Sequence, residues 1–179
     1  MRVWFALIPL VACHAEHVAP EPSLEVRSQA ALAYDRGTES YDEGHFAEAG
    51  EWFLTSYGLV HRHPALIQAV RSYRAADNFE EAGTLALLLA ERHPDEGIHE
   101  FATAIVDDVR PHTLRVTVDC ENCQLEIDGR VHETRSAFVS PGAEHRIYGH
   151  FGEERIGVIV SGAAGEERWV EFEASPGRE

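Results

Sequence analysis

The chain has 179 residues, enough for one or two small domains. Its 44% apolar content can build packed cores, and 15 Lys and Arg against 31 Asp and Glu leave a net charge of −16. That balance excludes the basic surface that nucleic-acid phosphates demand and opposes electrostatic docking on anionic lipid.

The first thirteen residues place one cation, Arg2, before an apolar run over residues 3–12, then Cys13 after the small Ala12. This is the layout of a secretory signal. The run is too short to span a bilayer, which takes about 20 apolar residues. Leu10-Val11-Ala12-Cys13 resembles the lipobox of bacterial lipoproteins. The resemblance implies cleavage before Cys13, which makes residues 1–12 a signal peptide, and a lipid on the Cys13 thiol. It places the protein on the bacterial cell envelope, at the outer membrane or a periplasmic face. Residues 13–23 are polar, contain Pro20 and Pro22, and read as a tether.

Residues 24–110 read as helical, because Ala is frequent, β-branched runs are absent and apolar residues recur at helical spacing. Ser23 is the expected N-cap of a first helix running to Glu43, with Gly44 as its stop. A second helix is expected from Phe46 to Val60. Pro64 falls in the first turn of a third, which ends near Ala76. Asn78 is expected to cap a fourth helix ending before Pro94, and Asp95 a fifth that carries Phe101, Ala104, Ile105 and Val109. Pro111 ends the helical part. Phe46-Ala47-Glu48-Ala49-Gly50 recurs 33 residues on as Phe79-Glu80-Glu81-Ala82-Gly83, and Arg62-His63-Pro64 recurs 30 residues on as Arg92-His93-Pro94. Such a period on helix pairs predicts stacked hairpins. The segment resembles the tetratricopeptide repeat family. Gly37, Tyr41, Gly44, Phe46, Ala49 and Phe53 match its small and aromatic positions in one unit, and Tyr73, Phe79, Ala82 and Pro94 in the next. The resemblance implies a protein-binding module, with the fifth helix capping the exposed end.

From Thr113 the period becomes two. Residues 114–118, 124–128, 155–160 and 168–173 alternate, punctuated by Gly129, Pro141-Gly142, Gly152, Gly162 and Gly165. Residues 113–174 therefore read as a small antiparallel β-sandwich. This part resembles the PEGA domain family of exported and surface proteins. Cys120-Glu121-Asn122-Cys123 stands at the family's turn, followed by a strand ending in Asp128-Gly129. Pro141-Gly142, followed by His145 before a strand, matches a second family feature. The resemblance implies a surface module, with cell-wall glycan as a candidate contact.

Cys120 and Cys123 form a Cys-x-x-Cys. Redox enzymes place that motif at a helix N-terminus, whose dipole lowers the thiol pKa. Strand patterns flank it here. A disulfide across the turn is the preferred reading, with an opportunistic metal site using His112 and His132 or thiol redox chemistry as competitors. His61, His63 and His93 are assigned to helix C-termini, where an imidazolium meets the negative end of the dipole; metal ligation is the competing assignment. Asp107-Asp108 and Glu153-Glu154 are adjacent and do not face each other. No nucleophile elbow, phosphate loop or His-Glu-x-x-His occurs, so neither cofactor nor catalysis is expected. Trp52 is expected to pack against the first helix. The fold class expected is α+β, with a helical-hairpin repeat followed by a β-sandwich. The function expected is that of a non-catalytic, lipid-anchored scaffold that binds an envelope protein partner. The alternatives are a surface protein binding cell-wall glycan and, behind it, a thiol oxidoreductase using Cys120 and Cys123.

Overall fold

The structure, a computed structural model, describes residues 21–173. The expected signal peptide, the lipidation site Cys13 and most of the tether lie outside the described residues. The chain is α+β, with helices first and strands after. The helices are α1 (Leu24–Asp42), α2 (Phe46–Val60), α3 (His63–Ala75), α4 (Phe79–Arg92) and α5 (Glu96–Val109), followed by a 3-10 turn at Arg110–His112.

The helix starts follow from local chemistry. The Val26 N–H donates to Ser23 Oγ, and the Glu81 N–H donates to Asn78 Oδ1, both at 3.2 Å. Each satisfies a backbone donor that a helix start leaves free. Asp95 stands at the corresponding place before α5, but its side chain makes no capping hydrogen bond. Gly44 turns the chain after α1 with φ +83°, and Asp77 takes that position one period later with φ +55°. Aspartate is among the few residues that tolerate this left-handed conformation.

The strands are β1 (Leu114–Cys120), β2 (Gln124–Ile127), β3 (Arg130–His132), β4 (Ser136–Val139), β5 (His145–Phe151), β6 (Glu154–Val160) and β7 (Glu167–Phe172). They form a three-stranded sheet ordered β4-β1-β7 and a four-stranded sheet ordered β3-β2-β5-β6. The expected sandwich is antiparallel in every ladder but one: β7 closes the smaller sheet by running parallel to β1. Leu114, Val116, Val118, Ala137, Val139 and Phe172 from one sheet meet Leu125, Ile127, Ile147 and Val160 from the other in a shared core.

The helical core holds a residue from the sandwich. Phe138 of β4, 4% exposed, packs with Ala82, Leu85, Ala86 and Val109 among the helices. Its neighbours Ala137 and Val139 point the other way, into the sandwich. The strand is thus covered on both faces. The Phe138 N–H donates to Thr84 Oγ1 of α4 at 2.9 Å, so a helix side chain satisfies a donor on the open edge of β4. Arg92 to Glu133 at 2.8 Å and Arg130 to Glu81 at 3.4 Å flank the seam. α5 packs on α4 at this end of the array, and β4 of the sandwich packs on α4 beside it.

Candidate functional site

The residues matched to the repeat pattern are brought together as packing. Gly37 of α1 lies under the Phe53 ring of α2, where a Cβ would come within 2.9 Å of that ring. Gly50 of α2 lies under the Tyr73 ring of α3, where a Cβ would come within 2.7 Å of that ring. Ala49 and Ala82 are fully buried at helix contacts. Tyr41 and Phe46 meet edge to face with ring centres 5.0 Å apart across the α1–α2 turn. Phe79 stacks on His112 at 4.3 Å and carries the Arg74 guanidinium at 4.8 Å. Arg74 also makes two hydrogen bonds to the Asp108 carboxylate, which ties α3 to α5. That contact, before burial and the charges of Arg74 and His112, governs Asp108, whose carboxyl is held below the usual range. Pro94 follows the end of α4 and is exposed.

At the other end of the helical array, α1 diverges from the α2–α3 turn. The groove between them has a cavity volume of about 340 Å³. Ala30, Ala31, Tyr34, Val60, Pro64 and Ala65 supply its apolar floor, and Arg27, Asp35 and Arg62 its polar rim. Trp52 stays out of it: the indole lies under Arg36 of α1 at 4.7 Å and donates to Glu48 at 3.4 Å.

The histidines split. His61 is the left-handed C-cap of α2 and His93 the C-cap of α4. His63, expected at a helix C-terminus, instead begins α3. The left-handed turn at His61 ends α2 two residues earlier than that reading requires. The His63 and His93 rings meet at 5.5 Å, and Tyr57 packs on His61 and His93. Burial, then the charge of His63, holds the His93 imidazole below its usual value. Among the described residues, no three His, Cys, Asp or Glu side chains are placed to share a metal ion.

In the β half, Cys120 and Cys123 form a disulfide across the β1–β2 turn, with Cα atoms 5.9 Å apart, inside the bridging range of 4.4–6.8 Å. Arg135, which sequence reasoning missed, donates to both sulfurs. Glu121 is exposed at the turn. Asp128 and Gly129 form the β2–β3 hairpin turn with φ +50° and +85°, the pair of left-handed residues such two-residue turns need. Asp128 then binds the other matched segment. Its Oδ2 faces His145 Nδ1 at 2.6 Å and its Oδ1 accepts from the Arg146 N–H at 2.8 Å. Burial raises the Asp128 carboxyl, but the His145 and Arg146 hydrogen bonds and charges outweigh it and leave it below the usual range. His145 Nε2 faces the Ser140 carbonyl at 2.8 Å. Both ring nitrogens therefore face acceptor oxygens of the fold. Pro141 and Gly142 sit in the loop this histidine holds, with the Gly142 N–H donating to the Gly162 carbonyl at 2.8 Å. Asp128, Gly129, Pro141, Gly142 and His145 thus form one structural tie between the two sheets.

The outer sheet faces differ in character. On the larger sheet, Glu126 links His150 at 2.7 Å to Arg155 at 2.8 Å, and Arg155 lies 3.5 Å from the Tyr148 ring centre. That ring also lies over Gly157. On the smaller sheet Trp169 stands 72% exposed. Its sequence signal was its parity: it shares a strand face with Glu167 and Glu171, while Val170 and Phe172 turn inward. No helix among the described residues is long and apolar enough to cross a membrane. Comparison with family models, curated proteins and solved structures finds no match to this chain.

Proposed function

We propose that this chain is a non-catalytic scaffold of the bacterial cell envelope, anchored by a lipid on Cys13, whose helical half binds a short segment of an envelope protein. The observation that carries the reading is the groove between α1 and the α2–α3 turn. It joins an apolar floor to a rim bearing Arg27 and Arg62, and it lies at the end of the array that the sandwich leaves open. Binding sites are concave in this way, with an apolar interior and a few fixing polar groups. The tether leads directly into α1, so the groove stands near the membrane end of the molecule. On the larger sheet the glycan reading has less support, because Arg155 and Gly157 already pack on the Tyr148 ring.

Two measurements test the reading. Wild-type protein takes up labelled fatty acid and fractionates with membranes, and Cys13→Ser loses both, because a single lipid is the only anchor proposed. A photo-crosslinker at Ala31, in the groove, gives a discrete adduct in intact envelopes that Arg27→Glu with Arg62→Glu abolishes. The same crosslinker at Glu100, exposed on α5, does not give that adduct. Identical adducts from both positions, or membrane retention of Cys13→Ser, would overturn it.

A further inference from the structure

The smaller sheet carries a second surface. Along β7 the side chains of Glu167, Trp169 and Glu171 share the outward parity, Glu173 follows just past the end of the strand, and Asp119 of β1 stands beside Glu171 in register. Thr117, opposite Trp169, is held back by Ser136 and Glu167, so nothing polar reaches over the indole from β1. Glu167 is paired with Arg115 at 3.5 Å. Asp119, Glu121, Glu171 and Glu173 are exposed, and no cation among the described residues pairs with them. These four carboxylates, with Phe151 and Phe172 between them, rim a hollow of about 770 Å³ beside the disulfide turn.

A largely exposed indole leaves apolar surface in water, and an aromatic with a carboxylate fringe is the chemistry that captures a cation on an aliphatic stem. A second copy of this face is opposed by the like charge it would bring. Successive outward residues of a strand stand about 6.7 Å apart, and an extended peptide repeats its own alternate side chains at the same interval. We propose that the Trp169 face of β1 and β7 binds an extended, Lys- or Arg-rich segment of a partner protein. One basic side chain lies over the indole, the next reaches Glu171 with Asp119 in step with the strand, and a third reaches Glu173 just past its end. This surface is separate from the groove of the helical half and does not depend on it or on the lipid.

The test is calorimetric titration of the full chain with a synthetic heptapeptide alternating threonine and arginine. The expected result is saturable binding that quenches or shifts Trp169 emission and weakens steeply as salt screens the charges. Trp169→Ala weakens it at least tenfold, and Asp119→Asn with Glu171→Gln about as much. Arg62→Glu, in the groove, leaves it unchanged. A peptide of the same composition with its arginines clustered binds at least fivefold more weakly. All three substituted side chains of this face are exposed, so the variants keep the wild-type thermal transition, and that transition is measured alongside. No binding at millimolar peptide would overturn the proposal, as would binding indifferent to Trp169→Ala. Equal binding of the clustered peptide, or of a protonated glucosamine oligomer of the same charge, would overturn the extended-peptide assignment. A dimer in sedimentation that Trp169→Ala dissolves would show that the occupant is a second copy instead.

Discussion

Gly50 and Gly83 hold the same place in two successive helical hairpins, 33 residues apart, and receive rings from different sources. On Gly50 the ring is Tyr73, from the next helix of the array. One period after Tyr73 the chain has Val106, whose short side chain packs at the edge of the helical core. On Gly83 a Cβ would meet Phe138 at 2.5 Å and Val109 at 2.8 Å. The sandwich has therefore put an aromatic where the following hairpin would have put one. The difference shows that the contact depends on a flat ring over a bare backbone, and not on which kind of secondary structure delivers it.

Removing the borrowed ring is the largest perturbation. Phe138→Ala should cost about 3–5 kcal/mol, the range for truncating a buried phenylalanine. The cost should fall on both halves. Amide exchange followed by mass spectrometry should speed up in α4 and α5 as well as in β4. Exchange confined to β4 would mean that the seam is an accessory contact and the helical core is complete without it.

The two glycines give the next largest effect and the direct comparison. Gly50→Ala and Gly83→Ala each drive a methyl into a ring, which should cost about 1–3 kcal/mol by overpacking. Gly83→Ala should also shift the seam, because its obstacle is attached to the sandwich. Combining Gly83→Ala with Phe138→Leu should recover part of the loss, whereas Phe138→Leu should do nothing for Gly50→Ala. Urea midpoints of the four variants decide it, and equal responses of the two glycine sites would break the comparison.

Acid produces the smallest effect and acts at the seam. His132 lies in the hollow between the halves, with Glu80, Glu81, Asp128 and Arg130 around it. Burial first, then the Arg130 charge, lowers its imidazole below the usual range, with Asp128 pulling the other way. His93 is held down in the same direction. The unfolded chain binds these protons more readily than the fold does. Stability is therefore full above the unfolded imidazole value of about 6.5 and is lost as pH falls from there through the folded values. The urea midpoint should drop between pH 7 and pH 5, and His132→Gln should flatten part of that slope. An unchanged slope in His132→Gln would assign the effect elsewhere.

Most helix boundaries were legible because each rests on a few neighbouring residues: Ser23 and Asn78 cap where expected, and α2 spans the residues anticipated. The disulfide was legible for the same reason. What escaped depends on distant partners. β4 reads Ser136-Ala137-Phe138-Val139, with no alternation, because helices cover one face and the other sheet covers the opposite face. β3 is only three residues long, too short to show a period. The parallel pairing of β7 with β1 joins the two ends of the β half, a relation no local pattern encodes. His63 was misplaced because a single left-handed residue, His61, decides which helix it joins. Arg135 gave no signal, since its role exists only once the β1–β2 turn lies beside it.

The ring on Gly83 also sets a direction for growth. In stacked repeats each unit touches only its neighbours, so an array lengthens wherever an end is free. Here a hairpin added after α5 would have to evict Phe138 and strip Thr84 from the β4 edge. A hairpin added before α1 would meet no such obstacle. Duplication, natural or engineered, is therefore open at the amino-terminal end alone, where each added unit would lengthen the array without touching the seam that holds the sandwich.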